Sequence, residues 1–166
     1  MIFVTVGSHT RGFERLLRKI DELARGKVIS DVFVQKGYSD YQPKYCPYTQ
    51  FVGFNEFQDL IKKSDIVITH AGAGTILNTL SHNKPTIVVP RLKRFGEHTN
   101  DHQLQLTKAL EKAEKIIAVY DIEDLKDAIN KARTFKPRIL NRDSKIIELI
   151  EEYLTEAGLI PEKRKL

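Results

Sequence analysis

"DIVITHAGAGTILNTL", residues 65–80, decides how this chain is read. An apolar, β-branched run (65–69) gives way within five residues to apolar positions at helical spacing, through the small residues Ala71, Gly72, Ala73, Gly74 and Thr75. Gly72 and Gly74 let the backbone turn sharply and approach a ligand with no Cβ in the way. The helix that follows (74–82) begins with unpaired N–H groups and the positive end of its dipole, which suit a phosphate or diphosphate. Thr75 adds a hydroxyl donor. A tight strand-to-helix turn without any ligand is the competing reading of an isolated G-x-G. The stretch is not a G-x-G-x-x-G dinucleotide turn, because Leu77 stands at the last glycine position, and no Gly-Lys-Ser/Thr follows to make a P-loop.

Outward from this turn the chain alternates short apolar runs with amphipathic stretches. Strands are expected at 2–6, 31–35, 49–54, 65–69, 85–90 and 115–120. Helices are expected at 13–24, 55–63 (capped by Asn55), 74–82, 100–113, 122–133 and 143–157. Strands of about five residues between longer helices predict a doubly wound, Rossmann-like α/β fold: a parallel sheet of about six strands with helices on both faces. Ligands of such sheets collect beyond the carboxyl ends of the strands. A single domain over 1–160 is expected, with 161–166 as a frayed tail.

The 166 residues carry 41% apolar and 30% charged side chains, ordinary for a soluble globular protein. No run approaches a membrane span, the start lacks a basic n-region, and a single cysteine, Cys46, excludes an internal disulfide. These features predict a cytoplasmic protein. The net charge of +5 favours anionic partners, but no arginine-rich tract or aromatic platform points to nucleic acid.

A second cluster, "VPRLKRFGEHTNDHQLQL", follows the 85–90 strand. It gathers Glu97, His98, Asn100, Asp101, His102 and Gln103 at a helix start. On a helix, Asn100 and Gln103 would share one face, as would His98 and His102. Such donors and acceptors suit a sugar, although capping by Thr99 or Asn100 explains one or two of them. Two histidines and an acid are zinc-ligand types, but the order is not H-E-x-x-H and no third ligand is evident, so no metal or cofactor is expected.

"FVTVGSH", "DIVITHAGAGTILNTL", "KPTIVVPR" and "GEHTNDHQ", in this order, resemble the nucleotide-sugar-binding domain of GT-B glycosyltransferases of the MurG-like group. The resemblance covers roughly residues 2–120. Within the group the chain resembles single-domain subunits of two-component transferases. These are the eukaryotic subunit that adds the second N-acetylglucosamine to the dolichol-linked precursor, and PssE-like subunits of capsule and exopolysaccharide synthesis.

The resemblance implies one half of a GT-B fold and a UDP-sugar donor. It implies that Gly7, Ser8 and His9 face the diphosphate and the acceptor side, and that the backbone near Phe54 meets the uracil edge. Gly72, Ala73, Gly74 and Thr75 would cradle the diphosphate, with His70 at the entrance of that loop. Asp101, His102 and Gln103 would reach the transferred sugar, with Glu97 and His98 beside them. Asn78 stands where the group carries an acidic ribose ligand, a weaker acceptor for hydroxyls. His9 is the candidate base.

The partners implied are a membrane-anchored acceptor-binding subunit, which recruits the chain to the membrane periphery, and a lipid-linked acceptor. The 143–157 helix would pack on its own sheet, dock the partner or form a homodimer. Two other readings are a non-catalytic UDP-sugar-binding regulatory subunit and an epimerase-like enzyme.

Overall fold

The computed structural model of the chain describes residues 1–137, 150 and 155. Its strands are β1 (Ile2–Thr5), β2 (Val32–Gln35), β3 (Tyr48–Thr49), β4 (Ile66–Thr69), β5 (Thr86–Val88) and β6 (Ile117–Ala118). The helices are α1 (Glu14–Arg25), α2 (Phe54–Lys63), α3 (Ala73–Ser81), α4 (His102–Lys112) and α5 (Leu125–Ala132). The six strands form one parallel sheet in the order β3-β2-β1-β4-β5-β6. This is the doubly wound, Rossmann-like arrangement expected.

The period of two along each strand explains why both faces are covered. Ile2 and Val4, Ile66 and Ile68, and Ile87 turn to one face, where they meet Phe13, Leu16, Leu17 and Ile20 with Leu125, Ile129 and Ala132. The alternate residues turn the other way. Phe3 and Val67 pack on Ile61, Phe57 and Leu60 of α2, and Val88 packs with Ile76, Leu80, Leu106 and Leu110 of α3 and α4. Each such leucine, isoleucine or phenylalanine, withdrawn from water, contributes about 1.5–3 kcal/mol.

The tyrosine-rich connection between β2 and β3 is fastened by two carboxylates of α1. Glu14 accepts the amides of Asp40 and Tyr41, and Asp21 accepts the Tyr41 hydroxyl and the amides of Lys44 and Tyr45.

Several boundaries differ from expectation. The strand expected at 49–54 is only Tyr48–Thr49, and α2 begins at Phe54 behind an extended Gly53, whose carbonyl accepts the Phe57 amide. Asn55 therefore lies inside the helix and is not its cap. Strands β5 and β6 are shorter than read, at Thr86–Val88 and Ile117–Ala118. The expected 143–157 helix lies outside the described residues except for Ile150 and Thr155. Ile150 is buried in the cluster shared by α3 and α4. The 161–166 tail also lies outside the described residues.

Candidate functional site

The strand order reverses between β1 and β4. From β1 the chain leaves through α1 toward β2, and from β4 through α3 toward β5, so the two exits diverge and leave a crevice at the carboxyl end of the sheet. His70 leaves β4 into this crevice. Its ring is held between two glycines. A Cβ added at Gly7 would lie 2.3 Å from His70 Cε1, and one added at Gly72 would lie 2.2 Å from Nε2. Gly7 also has φ +73°, a left-handed conformation that side chains resist. Gly72 therefore makes room for a histidine, not for a ligand as the sequence suggested.

Gly74 is different. It is exposed, its φ is not left-handed, and an added Cβ would meet nothing within 4 Å. Among the described residues nothing requires glycine at this position. Gly74 belongs to the first turn of α3, whose N-cap is Gly72, and among the described residues no side chain caps that turn. The amides of Ala73, Gly74 and Thr75 precede the helix's internal hydrogen bonds, which begin with the Ile76 amide on the Gly72 carbonyl. Asn78 follows one turn on from Gly74 and shares its face.

The opposite wall includes two residues the sequence reading left without a role, Arg91 and Arg15. Arg91, at the exit of β5, is fully buried. Its guanidinium donates to the carbonyls of Val6 (2.8 Å), Arg11 (2.9 Å) and Gly12 (2.9 Å), and lies over the Phe13 ring. Arg15 forms a two-point pair with Glu97, Nε to Oε1 at 2.9 Å and NH2 to Oε2 at 3.0 Å. Glu97 Oε2 also accepts the Leu92 amide. Gln103 Oε1 accepts the Arg91 amide at 3.0 Å. Glu97 and Gln103 are thus buried frame residues, their acceptors taken by the protein, where the sequence placed them near a sugar. The signal that could have found Arg91 is a charge immediately after the apolar run "TIVVP".

The polar cluster is also arranged differently. Because α4 begins at His102, His98 does not share a helix face with it. His98 instead stacks on His9, with ring centroids 4.9 Å apart. Asn100 Oδ1 accepts the His102 amide, and Asp101 Oδ1 accepts the Lys93 amide. Asp101 remains exposed, and His98, Asn100 and His102 are half-buried. Ser8 is exposed beside His9. Phe54 is 77% exposed at the start of α2, and Tyr38 and Phe51 pair edge-on after β2 and β3.

Burial first, and the Arg91 charge after it, disfavour protonation of His70, His9 and His98. Burial, aided by the Arg91 charge, pushes the His70 imidazole down to about 3. Burial and Arg91 also lower His9 and His98 below the ordinary histidine range. Burial lowers Arg91 itself to about 10, so it stays charged at neutral pH.

A base whose folded pKa lies below its unfolded value binds fewer protons when folded. Stability should therefore be full above about pH 6.5 and fall as the pH drops toward 3, by up to about 1.4 kcal/mol per pH unit from His70. Urea unfolding from pH 7 to 4 measures the slope. His70→Gln should reduce it, and an unchanged slope would remove His70 as its source.

The folded chain matches the glycosyltransferase family 28 C-terminal domain over residues 1–155. It is 33% identical over 129 residues to the UDP-N-acetylglucosamine transferase subunit ALG13 of Homo sapiens, covering 67% of this chain and 10% of that protein. It is 33% identical over 113 residues to the subunit of that name from Cryptococcus neoformans, covering 67% of this chain and 46% of that protein. The chain thus spans less than half the length of these curated relatives.

Among solved structures, an ALG13 solution structure is 18% identical with a TM-score of 0.59, covering 97% of this chain and 95% of that one. The Streptomyces sp. SF2575 glycosyltransferase SsfS6, complexed with thymidine diphosphate, is 20% identical with a TM-score of 0.55, covering 96% of this chain and 37% of that one. At these identities the two structures share the fold. With the family match spanning the whole sheet and the crevice at its carboxyl end, the chain belongs to the glycosyltransferase family 28 C-terminal domain family.

Proposed function

We propose that this chain is the donor-binding subunit of a two-component inverting glycosyltransferase, which transfers a sugar from a UDP-sugar to a lipid-linked acceptor. The observation that carries the reading is the bare, uncapped first turn of α3 at the point where the strand order reverses, with Gly74 open to solvent. The diphosphate rests on the amides of Ala73, Gly74 and Thr75, with Asn78 one turn away for the ribose and the backbone near Phe54 for the base. His98, Asp101 and His102 line the sugar side. Two relatives named as UDP-N-acetylglucosamine transferase subunits support the donor class, and a neighbour of the same fold is complexed with a nucleoside diphosphate.

In the reaction the acceptor hydroxyl attacks C1 and the bond from C1 to the diphosphate oxygen breaks. The departing negative charge falls where the helix amides and dipole already point, and this preorganised stabilisation lowers the barrier. His9 enters as a donor. Its Nδ1 accepts the Arg11 amide at 3.1 Å, so the neutral ring carries its proton on Nε2. As placed, it would act as a base only after losing that contact. The acceptor's proton therefore leaves to a group on a membrane-anchored partner, which recruits this chain to the cytosolic face of the membrane. Among the described residues, no helix is long and apolar enough to cross a membrane.

The same histidine geometry favours a second reading, a non-catalytic UDP-sugar-binding subunit that activates its partner. Transfer from UDP-N-acetylglucosamine to a polyprenyl-diphosphate-linked sugar separates the two. The account expects product only when both subunits are present, undiminished by a metal chelator, and lost with Gly74→Val in this chain. Full transfer by the partner with a Gly74→Val chain that no longer binds UDP would show that this chain does not deliver the donor, the regulatory reading.

A further inference from the structure

We infer that Arg91 is the positioning residue of the donor site: its guanidinium joins the strand exits of β5 and β1, so that the two walls of the crevice are set as one unit. The inference rests on the proposed donor site and adds to it a residue that touches no substrate. β5 and β1 are not neighbours; β4 lies between them, so their exits stand roughly 9–10 Å apart. Arg91 crosses this gap over the end of β4, where His70 sits.

On the far side it holds three carbonyls of the loop that carries Gly7, Ser8 and His9: those of Val6, Arg11 and Gly12. On the near side its own amide is held by Gln103 and its NH1 reaches the Glu97 carbonyl at 3.3 Å, within the segment that carries His98 and Asp101. The stacked His9 and His98 rings belong to the two segments so joined.

The chemistry of the group fits a brace better than an ion pair. Among the described residues no carboxylate is hydrogen-bonded to the guanidinium, because Glu97 gives both its oxygens to Arg15 and Leu92. Carbonyls take its place, and the buried Nε has no hydrogen-bond partner among the described residues. A planar fork with five N–H donors can serve several backbone carbonyls at once, whereas a lysine offers a point charge on a flexible stem.

The test compares Arg91→Lys with Leu125→Ala, a buried α5 residue of the hydrophobic core with no part in the proposed donor site, at matched losses of melting temperature. Arg91→Lys is expected to weaken UDP binding by about tenfold or more, as misplacement of a wall would, and to shift the His9 and His98 ring signals in NMR spectra together. Leu125→Ala should leave both unchanged. Equal losses of affinity in the two variants, or UDP binding by Arg91→Lys at the unaltered level, would overturn the inference.

Should Arg91→Lys fail to fold, the unaltered protein still decides. Its buried Arg91 Nε–H signal should move on UDP addition along with the α3 amides. If the α3 amides respond and Arg91 does not, the brace is wrong while the donor site stands. If no amide of α3 responds, the donor site falls and the brace with it.

Discussion

Gly74→Val is expected to lower UDP affinity by about a hundredfold or more while leaving the melting temperature within about 3 °C. The two halves of this result have separate causes. Affinity falls because the new side chain stands where a diphosphate meets the Ala73, Gly74 and Thr75 amides. Hydrogen bonds to a charged group contribute about 1.5–3 kcal/mol each, so losing two suffices. Stability is spared because Gly74 lies in an ordinary helical conformation with open space around an added Cβ. Glycine is among the poorest helix formers, so Gly74→Ala should stabilise the chain by about 0.5–1 kcal/mol while still weakening UDP binding. Opposite signs for stability and binding mark a glycine kept for a ligand. Calorimetric titration and thermal unfolding of the two variants measure both. A Gly74→Val protein that binds UDP normally would place the diphosphate elsewhere.

Gly7→Ala should act in the reverse sense, as a folding defect first. Its left-handed backbone costs a side chain about 1–2 kcal/mol, and the new Cβ would lie 2.3 Å from the His70 ring. That ring has no retreat, because Gly72 confines its other side and the pocket is buried. A total loss of about 3 kcal/mol or more is expected. Gly72→Ala meets the same ring from the opposite side without the backbone penalty, at φ −81°. His70→Ala, which removes the ring, should therefore offset much of the cost of Gly72→Ala, with a coupling of about 1–3 kcal/mol in a double-mutant cycle. Urea unfolding of the four proteins gives the coupling directly. Additive losses would mean that the ring and the glycine do not constrain one another.

The contrast between these glycines shows where sequence alone was enough. The alternation of strands and helices was legible because every central strand is apolar on both faces, the mark of a covered parallel sheet. Strand ends were not, since Phe51 and Phe54 extend an apolar run that the fold leaves exposed. The open turn at Gly74 could be read because its cause is local: small residues between a buried strand and a helix. The need for Gly72 could not, because its cause is a ring wedged between two loops that meet only in the folded chain. Long-range contact also explains the framing part played by Glu97 and Gln103. Glu97 and Gln103 look like sugar ligands until Arg15 and the Arg91 amide are seen to occupy them. His98 looked like the helical partner of His102, yet α4 starts too late and His9 is its neighbour.

The central claim is a physical one: a nucleoside diphosphate is held by peptide amides at the start of α3. Amide NMR titration of the unaltered chain with UDP tests it most directly. The account predicts saturable shifts that are largest at Ala73, Gly74 and Thr75, with smaller ones at Gly7 and Ser8. Saturable binding that leaves those three amides unmoved, or no binding at all, would contradict it.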